Sequence, residues 1–268
     1  MRLLLFPLLF PGLLTALRAD DVPRPATAEE TALFQDALRN SAQDTEHWAY
    51  TETTRAKVPK GLVPGETVVR FDPSKPYAEQ YTPLQIDGQP PTEKQLKEYR
   101  RRGEKRGARV AEAARNSGPP PASQLKIAGG NVTLDPDHPR VARTEEGRVV
   151  FEVPMLSARN DIPVDKFLVL AAVDRATRQV ERVDLRVRES FRVKLVAKVK
   201  AGEASLGFTV VDPRFGPVVS AISGDFSASL LFIPVNGTFE RTRADWKRVK
   251  SYNERLQVKL GPLQLSDF

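Results

Sequence analysis

The sequence predicts an α+β protein: a single curved antiparallel β-sheet, left unclosed, with helices covering its concave face. Three observations carry this. Two early segments have apolar residues at helical spacing or dense charge behind a capping box. From Leu125 onward the apolar period changes to two. The strands so read are short and joined by turns, which argues for antiparallel pairing, and six or more strands with one apolar face twist and curl.

The elements follow in order. Residues 1–19 begin with one arginine, continue as an apolar run from Leu3 to Leu17, and end at Ala19. That is the pattern of a cleaved secretory signal peptide; a retained N-terminal anchor is the rival reading. Pro7, Pro11 and Gly12 interrupt the run, which is short for a membrane span. Residues 20–26 are polar and proline-punctuated, and read as a tether. Thr27 and Glu30 make a capping box, and Leu33, Phe34, Ala37 and Leu38 share one face, so a helix is expected from Ala28 to about Asp44. Burying Leu33, Phe34 and Leu38 contributes about 1.5–3 kcal/mol each.

Strands are expected at Trp48–Arg55, Thr67–Phe71 and Tyr81–Ile86. Asp72-Pro73 ends the second, and Asp87-Gly88 turns the chain after the third. Thr92 and Gln95 form a second capping box ahead of a basic helix. From Glu93 to Arg115 there are nine basic and four acidic residues. Glu93–Lys97 and Glu98–Arg102 are favourable i,i+4 pairs. Gly103 and Gly107 weaken the middle, by about 1 kcal/mol each relative to alanine. Pro119, Pro120 and Pro121 follow its end.

The second half reads as strands. Leu125–Leu134 folds about Gly129-Gly130, Arg148–Val153 follows, and Lys166–Asp174 with Arg178–Val187 makes a hairpin. Phe191, Val193, Leu195, Ala197 and Val199 alternate with polar residues as one strand. Gly202 is read as a turn before Leu206, Phe208 and Val210, and Val218–Ile222 and Phe226–Ile233 continue the pattern. Residues 251–268 are left as a C-terminal tail.

Composition bounds the function. The 268 residues include no cysteine and two histidines, and carry a formal charge of +7. Disulfides, thiolate metal sites and cysteine nucleophiles are excluded. Asp135, Asp137 and His138 resemble a ligand set, but the flanking Pro136 and Pro139 favour a rigid turn held by Asx hydrogen bonds. His47 is read as the start of a strand. The chain contains no nucleophile elbow, phosphate loop or zinc-helix motif. Neither enzyme activity, a cofactor nor a metal is expected, and export leaves no nucleic acid as partner.

One resemblance adds to this. The first helix, the strand His47-Trp48-Ala49-Tyr50-Thr51-Glu52-Thr53 and the strand Val68-Val69-Arg70-Phe71-Asp72-Pro73-Ser74 resemble exported bacterial proteins of the lipoprotein-carrier (LolA/LolB-like) superfamily. Arg182-Val183-Asp184-Leu185, Phe191 and the run from Phe208 to Phe239 are similar in order. The resemblance spans residues 27–250 and implies a half-barrel domain with an apolar cavity for acyl chains. The basic helix and proline-rich segment at 92–122 are an insertion in it. The implied location is the periplasm, if the source is a Gram-negative bacterium.

Two sets of residues are therefore candidates. Phe191, Leu195, Leu206, Phe208, Phe226, Leu230 and Phe232 line the apolar strand face. They would bind a lipid, acyl chain or other hydrophobic ligand, as in an envelope carrier; alternatively a helix fills that face and the protein is an envelope interaction or structural domain without a ligand. Lys97, Arg100, Arg101, Arg102, Lys105 and Arg106 on the basic helix would dock on an anionic membrane surface or an acidic envelope protein, or simply form a solvated face.

Overall fold

In a computed structural model of the chain, the described residues are 22–41, 44, 46–59, 63, 65–116, 126–127, 132–157, 163–193, 197–230 and 233–256. The signal peptide expected at 1–19, the proline-rich stretch beyond Asn116 and most of the C-terminal tail lie outside them.

The main sheet is antiparallel and not closed. The strands are β1 (Arg24–Pro25), β2 (Trp48–Lys57), β3 (Glu66–Phe71), β4 (Tyr81–Ile86), β5 (Lys126–Ile127), β6 (Val132–Leu134), β7 (Arg140–Glu145), β8 (Arg148–Glu152), β9 (Met155–Ser157), β10 (Phe167–Asp174), β11 (Gln179–Val187), β12 (Phe191–Val193), β13 (Ala197–Thr209), β14 (Val218–Leu230) and β15 (Ile233–Arg248). They pair in the order β1-β7-β8-β10-β11-β13-β14-β15-β2-β3-β4, with β12 attached beside β13. The outermost strands, β1 and β4, contain Pro25 and Pro83. Three short strands, β5, β6 and β9, form a second small sheet, where the sequence led us to expect only one.

One lateral row of side chains defines the inner face. Residues directly opposite in adjacent strands point the same way. Val141, Phe151, Ala171, Val183, Leu206, Ile222, Arg241, Thr54, Thr67 and Ile86 are opposed pair by pair across ten strands. The first four are buried and apolar; Arg241, Thr54 and Thr67 are polar and half-buried.

Helix α1 (Ala28–Asn40) explains the apolar half. Phe34, Ala37 and Leu38 pack with Phe151, Val169, Ala171 and Val183 in the buried core, and Phe34 meets Phe151 with ring centroids 5.2 Å apart. The expected capping box forms: Thr27 Oγ1 accepts from the Glu30 N–H at 3.2 Å, and the Glu30 carboxylate accepts from the Thr27 N–H at 2.9 Å. Arg24 makes a two-pronged ion pair with Glu30. So Arg24 and Pro25, read as part of a tether, instead form an edge strand tied to α1. The helix ends at Asn40, earlier than expected; at its C-cap the Ser41 hydroxyl turns to the sheet and accepts the buried Val180 N–H at 2.9 Å.

The late strands also differ from expectation. The alternation from Phe191 to Val199 is not one strand. Phe191 lies opposite Val199 across a fold-back between β12 and β13. Gly202 makes no turn; β13 runs through it, with Gly202 opposite Phe226. β14 is likewise continuous through Gly224. Glycine here admits a close neighbour, the Asp225 carbonyl at Gly202 and the Phe239 ring at Gly224, rather than breaking the strand.

Helix α2 (Glu93–Asn116) lies over the other half of the inner face, against β4 and the short helical turn at Tyr77–Glu79. Its capping box also forms, with the Thr92 N–H donating to Gln95 Oε1 at 2.8 Å. A short helix α3 (Tyr252–Leu256) closes the described chain, its Tyr252 N–H donating to the Pro73 carbonyl at 2.8 Å. No helix among the described residues is long and apolar enough to cross a membrane.

Candidate functional site

The site is the cleft between α2 and the inner face of β2, β3, β4, β14 and β15. Its volume is about 1370 Å³. Val69, Ile86, Phe226 and Phe239 give it an apolar floor, with Thr54 and Thr67 between them. Two glycines seat the aromatic rings. Phe226 lies opposite Gly237, and Phe239 opposite Gly224. A Cβ on Gly237 would lie 3.0 Å from the Phe226 ring, and one on Gly224 2.8 Å from the Phe239 ring. Ring over glycine is a recognised way to fill a strand position that has no side chain.

Gly103 and Gly107 decide how close the roof sits. Both are buried, and a Cβ on Gly103 would stand 1.9 Å from the Tyr77 carbonyl oxygen. One on Gly107 would meet the Tyr77 ring at 2.7 Å. The glycines read as weak points in the helix are its contact surface. The same side carries Arg106, only 9% exposed, which donates to Gln80 Oε1 at 2.7 Å and ion-pairs with Glu46. Its guanidinium also lies over the Phe71 ring, 5.3 Å from the centroid. Arg106 is therefore an anchor of α2 and not a docking residue: burial and these partners remove it from any surface.

The opposite side of α2 faces the cleft. Lys97, Arg101, Lys105 and Arg109 line it at successive i,i+4 positions, with Arg102 beside them. Like charges at that spacing destabilise a helix by about 0.2–0.5 kcal/mol per pair. Among the described residues none of these four makes an ion pair. The expected Glu93–Lys97 and Glu98–Arg102 pairs do not form; Arg102 instead stacks on Tyr81, 4.5 Å from the ring centroid. Arg100 is exposed and does not line the cleft. The outer face of the sheet is different. There Arg182 pairs with Asp184 at 2.7 Å, Arg186 with Glu203 at 3.3 Å, and Arg188 with Glu152.

Beside the cleft, Tyr50, Phe71 and Tyr81 oppose one another across β2, β3 and β4, with centroids 5.1 and 5.0 Å apart. Burial pushes the Tyr50 hydroxyl pKa up to about 12, so the phenol stays neutral. Glu52, which lines the cleft, is held between Arg243 at 3.0 Å and Arg241 at 3.5 Å.

The predicted apolar residues scatter. Phe226 lines the cleft. Leu206 and Phe208 pack against the α1 core. Phe191 is half-buried and meets Phe167 edge-on at 5.2 Å. Leu195, Phe232 and the side chain of Leu230 lie outside the described residues. Phe239, Val69, Ile86 and Thr67 were missed as lining. Only the pairing of β15 with β2 brings the N-terminal strands to this place, and no local pattern announces it.

The two histidines are in local pairs. His138 Nδ1 is 2.9 Å from Asp135, and the Asp137 N–H donates to Asp135 Oδ1 at 3.0 Å, an Asx turn as expected. His47 precedes β2 and bridges Asp44 at 2.5 Å and Glu254 of α3 at 2.7 Å. Burial opposes its charge, but the hydrogen bonds to Glu254 and Asp44 outweigh this and hold its pKa above the ordinary value.

The chain is similar to a LolA superfamily protein from Nitrosomonas europaea. The match covers 85% of this chain and 96% of that one, at 8% identity and a TM-score of 0.36. No protein-family model matches the chain, and no curated protein matches it.

Proposed function

We propose that this is an exported, non-enzymatic binding protein that holds the acyl chain of a lipid, or another hydrophobic ligand, between α2 and the sheet. One observation carries the reading. Helix α1 fills one half of the inner face, whereas the other half leaves a cleft of about 1370 Å³ floored by Phe226, Phe239, Val69 and Ile86. A cleft with an apolar floor under a charged helix face suits a ligand rather than a packed core. Export is part of the proposal and is supported by the pattern of residues 1–19.

The test is uptake of a fluorescent fatty acid, with native mass spectrometry of gently purified protein for co-purified lipid. Phe226→Ala removes part of the floor without touching the α1 core. It should weaken uptake by about 1–2 kcal/mol, about 5- to 30-fold. Wild-type protein that carries no lipid and takes up no acyl probe would refute the proposal.

A further inference from the structure

We infer that the cleft selects lipids with an anionic head group, and that Lys97, Arg101 and Lys105 of α2 bind that head. This rests on the cleft reading and names its ligand class. Four features of the molecule support it. The three side chains stand on one helix face, at i,i+4 intervals, and all line the cleft. None has an ion-pair partner among the described residues, whereas Arg182, Arg186 and Arg188 on the outer face of the sheet are each paired with a carboxylate. Their spacing is unfavourable to the helix itself, so local stability does not account for it. The opposite helix side is fixed by Gly103, Gly107 and Arg106, which holds the cationic side toward the floor. Apolar floor and cationic roof together fit one molecule: a chain that lies on Phe226 and Phe239 and a phosphate or carboxylate that meets the roof.

The experiment compares two lipids that differ only at the head. Oleyl phosphate and oleyl alcohol compete against a fluorescent acyl probe bound to the full chain. Oleyl phosphate should displace the probe about tenfold better at low salt, and the gap should narrow in 1 M NaCl, where screening acts within about 3 Å. The triple variant K97Q/R101Q/K105Q should lose most of the advantage of oleyl phosphate over oleyl alcohol. Arg100→Gln, off the cleft, should keep the gap. Relief of like charge on an exposed helix face keeps the triple variant folded, which its far-UV circular dichroism checks. Equal binding by wild type, or a gap that the triple variant leaves undiminished, overturns the inference and leaves the cleft reading standing. Displacement by inorganic phosphate as effective as by oleyl phosphate overturns it in favour of a free-anion site. If neither lipid displaces the probe, the cleft reading itself falls.

Discussion

Substitution of Gly103 by alanine sets two effects of opposite sign against each other. By helix propensity alone the change should stabilise α2 by about 1 kcal/mol. In place, the new Cβ would stand 1.9 Å from the Tyr77 carbonyl oxygen and 2.9 Å from its carbon. Both atoms are backbone, so no rotamer change relieves the contact, and the helix must lift from the turn at Tyr77–Glu79 or distort. Overpacking of this kind costs about 1–3 kcal/mol, and lifting α2 would also strain the Arg106–Gln80 hydrogen bond. We expect a net loss of about 1–2 kcal/mol, read as a lower urea midpoint with an unchanged slope. Gly107→Ala is the internal control. Its Cβ meets the Tyr77 ring, not the main chain. Adding Tyr77→Ala should therefore rescue Gly107→Ala but not Gly103→Ala. A Gly103→Ala protein at least as stable as wild type, or one rescued by Tyr77→Ala, would refute the reasoning.

Two further outcomes follow from groups described above. Ser41→Ala strands the buried Val180 N–H, which now donates to the Ser41 hydroxyl; a loss of about 1–3 kcal/mol is expected, seen as a melting point lower by several degrees. His47 has a raised folded pKa, so its pairing with Asp44 and Glu254 adds stability that is complete below its ordinary pKa of 6.5 and is lost as pH rises through the folded value. Partial exposure of the histidine and its partners limits this to less than about 1 kcal/mol. Thermal melts between pH 5.5 and about 8.5 should show a decline that His47→Gln abolishes; parallel profiles for the two proteins would remove the histidine from the account.

The architecture was legible because it rests on local signals. Both capping boxes, the Asp87-Gly88 turn and the two-residue period from Arg148 to Val187 are written in consecutive residues. Asp87 and Gly88 both adopt positive φ, +49° and +76°, as a tight hairpin turn requires. The site was less legible, because it depends on which strands become neighbours. Phe residues concentrate in the late strands, which drew attention to Leu206 and Phe208, yet α1 takes those. Glycines misled for the same reason. Gly103 and Gly202 look like breaks until the carbonyl that occupies the space of their missing side chains is known. The basic helix was seen, but not that one cation, Arg106, faces inward while its neighbours face the cleft.

A sheet that never closes keeps two raw borders, and such borders invite other chains to add to them. Here each border strand carries an imino acid, Pro25 on one side and Pro83 on the other. Each ring deletes a donor from the ladder that an intruding strand would need. An open sheet bordered in this way is a poor template for its own aggregation.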